Sequence, residues 1–393
     1  MRLRVAPFVV SMLVLSIAGC ARKIERPHSP WQPVALTTDA DFRDIWFADE
    51  RHGWAVGGGY DIPGGIIGRT QDGGATWSYA TGFVGRWPGV SSFAFTGVQF
   101  FDSLSGCTIG SGGQIFLTDD GGENWRSVRE GGGEGLSDLQ FIDRYDGWAV
   151  GPAGLLATSD GGESWNWMAR SRSENGYLGG TAIWFLDRST GFMTGYPFVM
   201  KTNDGGATWT KLSLPLAAGE NPHLWDVTFV DPQHGWVVGE NGTILATSDG
   251  GWTWTRQTRG IPKPTPRPLQ IVRRQNGADT LDLEGPPDGL FLTTVRFVDP
   301  MRGWTVGFFP GGGRSVVLRT EDGGATWQEE AEANGQELRG LFMTAAGRGW
   351  TIGDRVRAGG QVLLRRAPAE STGATVSMRS DCSTASNARS ISG

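Results

Sequence analysis

An eight-residue motif, Thr-x-Asp-Gly-Gly-x-x-Trp, recurs six times and sharply limits what this chain can fold into. Its copies begin at Thr70, Thr118, Thr158, Thr202, Thr247 and Thr320 and carry Asp72, Asp120, Asp160, Asp204, Asp249 and Asp322. All intervals but the last are 40 to 48 residues, the length of a propeller blade. A second motif precedes each copy: an apolar stretch ending in Phe-x-Asp, a short turn, then Gly-Trp-x-Val-Gly. It is clearest at 139–151, 227–239 and 295–307 and occurs seven times. Trp54, Cys107, Trp148, Phe192, Trp236, Trp304 and Trp350 hold its aromatic position.

Each unit reads as four short strands separated by turns. The Gly-Gly pair supplies positive φ without steric cost, and the Asp side chain can accept the turn's N–H groups. A lone four-stranded sheet cannot bury both faces, whereas seven packed radially cover one another. The expectation is an all-β, seven-bladed β-propeller built of Asp-box hairpins, spanning residues 31–366. An insertion occupies about 256–291, and the small, polar 367–393 tail reads as disordered. The seventh unit lacks the Asp motif. The segment SPWQPVA at 29–35 resembles the strand that follows each box, so the N-terminal strand is expected to close the last blade and remove an exposed edge. Cys107 stands where other repeats have an aromatic, which predicts a small buried hydrophobe.

The N-terminus reads as an export signal. Arg2 and Arg4 precede an apolar run over 5–18, shorter than the roughly 20 residues a spanning helix needs. Ile17, Ala18, Gly19 and Cys20 resemble the lipobox of bacterial lipoproteins. Residues 1–19 are then the signal peptide, Cys20 the lipidation site and 20–30 a tether; an ordinary cleaved signal is the alternative. The expected location is exported and membrane-anchored on the periplasmic face. Ala21 after the cysteine resembles sorting to the outer membrane, if the host is Gram-negative.

A net charge of −6 argues against nucleic-acid binding through bulk electrostatics. The three cysteines lie in unrelated contexts, and the four histidines are far apart. Neither a disulfide framework nor a metal or other cofactor is expected. The box aspartates lack the alternating carboxylates of a calcium loop and are read as structural.

The Thr-x-Asp-Gly-Gly-x-Thr-Trp form is similar to the Asp box of bacterial neuraminidase (BNR) repeats, found also in xyloglucan-cleaving hydrolases and sortilin-type receptors. With Phe-x-Asp-x-x-x-Gly-Trp-x-Val-Gly and an export signal, the chain most resembles the photosystem II stability and assembly factor family. That resemblance implies a non-enzymatic propeller that binds an assembling membrane protein, partly through an arginine-rich patch. A sialidase would need a nucleophilic tyrosine and three carboxylate-gripping arginines, and the five tyrosines show no such context. A carbohydrate-binding or glycoside-hydrolase propeller remains the alternative, marked by tryptophans and carboxylates around one cleft.

The strand order puts Asp boxes and Phe-x-Asp turns on one rim. The opposite rim is expected to carry Arg86, Trp87, Arg126, Arg129, Arg170, Arg172, Tyr196, Phe308, Phe309, Arg314, Arg355 and Arg357, residue types enriched at interface centres. These are the candidate partner-binding residues, and the expected partner of a monomeric propeller is a membrane protein or envelope complex. Against this stands the chain's general preference for Arg, since it has only four lysines. The proline-rich run at 262–268 reads either as a recognition arm or as a tolerated insertion.

Overall fold

Six repeats each fold into an antiparallel meander of four strands, the seventh is completed by the N-terminal strand, and the seven sheets form the propeller. The computed structural model describes residues 29–58, 64–81, 83, 93–170, 179–263, 289–310, 313–355 and 363–367. Blades 1 to 6 comprise 42–81, 95–129, 138–170, 182–211, 224–257 and 291–334. Blade 7 takes three strands from 336–366 and its outermost from Trp31–Pro33, with Trp31 opposite Arg366 and Pro33 opposite Leu364. The N-terminal strand therefore closes the ring, as the sequence predicts.

The Asp box is a self-satisfying turn. In blade 4, Gly205 and Gly206 adopt φ of 74° and 97°, which let the chain reverse. Asp204 then accepts the Thr202 hydroxyl at 2.7 Å, the Thr208 N–H at 2.8 Å and the Thr208 hydroxyl at 2.5 Å. The Thr208 hydroxyl and N–H, followed by the Thr202 hydroxyl, hold the Asp204 carboxyl at about 2. Trp209 folds back to donate its indole N–H to Gly206 O at 3.0 Å.

The two motifs join the blades. Trp54 of blade 1 stacks on Phe100 of blade 2 at 3.4 Å and donates to Gly121 O in that blade's Asp box at 2.9 Å. Trp148 with Phe185, Trp236 with Phe297 and Trp350 with Phe47 repeat the stacking, at 3.8, 3.5 and 3.7 Å. Each Phe-x-Asp phenylalanine also meets its own box tryptophan edge-on, as Phe100 meets Trp125 at 5.8 Å. The glycine before each motif tryptophan permits this closeness: a Cβ on Gly235 would lie 2.4 Å from the Phe229 ring. In blade 4, Phe192 stacks on Phe229 at 4.2 Å but has no N–H to give. Lys201 supplies it, donating from Nζ to Gly250 O at 2.8 Å. Cys107 is fully buried beside Leu117 and Phe141, as expected of a packing residue, and burial pushes its thiol up.

Candidate functional site

The first strands of all seven blades surround a central channel that holds a cavity of about 280 Å³. In blades 1, 2, 5, 6 and 7 the pairing of this strand slips by one residue near its start. The residues skipped are Arg43, Thr96, Trp225, Thr293 and Arg339, and all five line the cavity. A bulge re-aims the side chain it carries, which explains how an inner strand delivers these groups to the channel mouth.

One step further in lie three carboxylates. Asp44 accepts N–H bonds from Ile45 at 2.8 Å and, across the blade boundary, from Val98 at 2.9 Å. Asp138 does the same with Leu139 and Ile183, both at 2.8 Å. Asp226 receives Val227 and Val295, and pairs with Arg296 at 2.6 Å. The carboxylates thus clasp blade 1 to 2, 3 to 4 and 5 to 6. Burial pushes Asp44 up to about 6 against the opposing Val98 N–H, and burial followed by the charge of Asp226 pushes Asp138 up to about 7. These residues sit deep in the protein yet keep surface on the channel. Sequence reasoning missed them, although a signal exists: each Asp stands three residues before the phenylalanine of its Phe-x-Asp motif.

At the mouth, His223 stacks on Trp225 at 4.1 Å and 7°, while Tyr196, 61% exposed, approaches His223 at 6.1 Å. His223 Nε2 lies 2.6 Å from the Thr181 hydroxyl, and burial lowers its pKa against the pull of Glu240. An aromatic run therefore leads from the rim into the channel. Tyr196 was expected on this rim; His223 and Trp225 were not foreseen.

The other candidates separate into groups. Arg129 and Arg170 converge on Trp167, at 5.7 and 4.7 Å from its ring, and both face Glu134. Arg170 is 60% exposed, so this cluster presents charge and an indole together. Arg126 sits instead at the Asp-box end, paired with Glu163 of the next blade's box, because it directly follows Trp125. Phe308 and Phe309 are buried, contrary to a contact role. The longer second strand of blade 6, Gly303–Phe309, carries them inward, where Arg339 and Arg314 lie over their rings at 5.3 and 5.0 Å. Arg314 is held by Glu329 at 3.0 Å and Glu332 at 3.2 Å. Arg355 is occupied in ring closure: its N–H reaches Asp41 at 2.9 Å, and its guanidinium bonds Asp39 and Thr38 O. Arg86, Trp87, Arg172, Arg357 and Cys20 lie outside the described residues, as do 264–288 of the insertion.

His52 and His234 are turn residues, each paired with its turn aspartate, at 2.7 and 2.8 Å. Among the described residues no group of three or more His, Cys, Asp or Glu is set to hold a metal ion, and no helix is long and apolar enough to cross a membrane.

The solved structure described as "YCF48 bound to D1 peptide" superposes with a TM-score of 0.61 at 18% identity, covering 87% of this chain and 98% of that one. The photosystem II assembly lipoprotein Ycf48 of Synechococcus sp. is 28% identical over 162 residues, 40% of this chain and 46% of the relative. The protein of the same name from Picosynechococcus sp. is 26% identical over 302 residues, 65% of this chain and 85% of the relative. The matched stretch thus spans about half the length of the first relative and most of the second. The family described as photosynthesis system II assembly factor YCF48 matches residues 24–132, 133–224 and 216–279. Because those matches span more than half of the sequence, this chain belongs to that family.

Proposed function

We propose that this protein is exported, lipidated at Cys20, and acts without catalysis by holding a segment of a membrane protein on the rim opposite its Asp boxes. Family membership supports an assembly role: relatives bear the name photosystem II assembly lipoprotein, and one solved propeller is described with a D1 peptide bound. The observation that carries the reading to particular residues is Trp167, flanked by Arg129 and by the exposed Arg170. Guanidinium groups on an indole offer carboxylate recognition and apolar contact together, the chemistry of an interface centre. Tyr196 adds a second exposed aromatic on the same rim. The client is thus a membrane protein with an accessible segment that presents carboxylates and apolar side chains.

The test is capture of a membrane protein from the detergent-solubilised envelope by the intact lipoprotein. Arg170→Ala with Tyr196→Ala should lose the captured protein at unchanged thermal midpoint; equal capture by the variant refutes the assignment of this rim.

One observation favours a carbohydrate role: Trp46, Trp225 and three aspartates share one channel. The hydrogen bonds favour a structural role instead. Both oxygens of Asp44 and Asp138 accept main-chain N–H groups, and Trp46 donates to Phe100 O at 3.1 Å. Sugar release from xyloglucan that Asp138→Asn abolishes would reverse this preference.

A further inference from the structure

We propose that the Asp-box rim of the propeller lies on the lipid surface, with Leu104, Tyr145, Trp252 and Met301 inserted at the membrane interface. The inference rests on the anchored reading given above and adds an orientation to it.

The path of the chain selects this rim. Trp31 pairs with Arg366, and Arg366 with Gly349, the residue that leaves the turn between the first two strands of blade 7. The N-terminal strand therefore starts at the Asp-box end, where the Ser29 hydroxyl donates to Glu330 O at 3.1 Å. Cys20 stands only nine residues before Ser29. Even fully extended, that stretch spans about 30 Å, so a lipidated Cys20 keeps this rim close to the bilayer.

The turns themselves throw apolar side chains outward. In each Phe-x-Asp turn the aspartate accepts the N–H of the residue two places on, which fixes the backbone and leaves that side chain facing solvent. Leu104, Tyr145 and Met301 occupy this place in blades 2, 3 and 6, with N–H bonds of 2.8, 2.7 and 2.9 Å. Trp252 fills a box position where the other copies carry Ala75, Glu123, Glu163, Ala207 and Ala325. Lys201 Nζ lies 4.5 Å from the Trp252 ring and is itself bonded to Gly250 O, so the indole stands on a fixed base.

These four side chains are 56, 55, 53 and 65% exposed for Leu104, Tyr145, Met301 and Trp252, and among the described residues only Tyr196 and, to a lesser degree, Met168 are also exposed large apolar side chains. Single exposed apolar residues are ordinary. Four on the face that the tether holds near a membrane, including a Trp and a Tyr, match the composition of an interfacial belt. A lipid anchor gains from a second, apolar signal, and this rim supplies it. Glu50, Glu123 and Glu163 share the rim, each paired with an arginine, Arg348, Arg69 and Arg126 in turn, so these charges oppose one another and the attachment is apolar and insensitive to salt.

The test uses the intact lipoprotein reconstituted in phosphatidylcholine vesicles. A bimane label is placed at Tyr145→Cys, Met301→Cys or Tyr196→Cys in a Cys382→Ser background; Cys107 is buried and stays unlabelled. Lipids with a nitroxide at headgroup depth should quench the 145 and 301 labels at least about twofold more than the 196 label, unchanged in about 0.5 M salt. Combining Leu104→Ser, Trp252→Ser and Met301→Ser should remove most of the quenching at 145 while the protein still floats with the vesicles. Equal quenching on both rims of floated protein overturns the orientation and leaves the anchor standing. Protein that fails to float overturns the anchored reading and the orientation together. Shielding of the 145 label in lipid-free micelles at high protein concentration would assign the rim to a second copy and overturn the lipid assignment.

Discussion

Trp304 donates its indole N–H to Glu330 Oε2 at 3.0 Å, whereas Trp54, Trp148, Trp236 and Trp350 each donate to a glycine carbonyl in the next blade's Asp box. Blade 7 has no Asp box to offer that carbonyl. A carboxylate from the outer strand of blade 6 takes its place and draws in the closing elements, Trp31 Nε1 at 2.8 Å and Arg366 Nη2 at 2.8 Å. Removing Glu330 would take the carboxylate from the buried Arg366 guanidinium, leaving it only the Gly347 and Ala367 carbonyls, and would leave two indole N–H groups without their acceptor. Glu330→Ala should cost about 3–5 kcal/mol in chemical denaturation, and a loss below about 1 kcal/mol would contradict its role at the closure.

The closing strand is short, but it covers the edge strand Leu363–Arg366 and buries Trp31 against Leu341 and Leu364. Deleting residues 29–37 should lower the thermal midpoint by at least about 5 °C, since losing a buried tryptophan alone costs about 3–5 kcal/mol. An unchanged midpoint would show that the ring closes without it.

Lys201 stands in for the indole that blade 4 lacks. Lys201→Met should leave Gly250 O without its donor and cost about 1–2 kcal/mol. Adding Phe192→Trp, which restores an indole N–H at the repeat position, should recover part of that loss by the same denaturation measurement. No loss in Lys201→Met would mean that the inter-blade hydrogen bond contributes little.

Much of this was legible because the repeats state it. The period gave the blades, the Gly-Gly pairs gave the turns, and the unit without an Asp box pointed to the N-terminal strand. The channel was harder to read. Asp44, Asp138 and Asp226 recur in alternate blades, and the intervening ones carry Gly97, Ala182, Thr294 and Gly340, so no single seven-fold motif exists. The bulges that deliver Arg43, Trp225 and Arg339 leave no residue signature. Rim assignment failed where an outer strand has two ends: Arg126 and Arg129 share one strand, Arg126–Arg129, yet face opposite rims.

Two sets of carboxylates set the pH response in opposite directions. Asp44 and Asp138 lie at about 6 and about 7 in the fold, above the roughly 3.9 of an unfolded aspartate, so protonation favours the native state. Their contribution grows as pH falls from about 8 toward 5. Asp120, Asp160, Asp204 and Asp249 are held at about 2, so the stability they give above about pH 4 is lost as pH falls toward 2. The thermal midpoint should peak near about pH 4–5; a steady fall from pH 8 to 4 would contradict the channel assignment.

The division into a client-binding rim and a membrane-facing rim is tested most directly by photo-crosslinking in the native envelope. A photoreactive residue at Tyr196 should crosslink to a membrane-protein polypeptide, while one at Met301 should crosslink to lipid. Polypeptide adducts from Met301 with none from Tyr196 would contradict it.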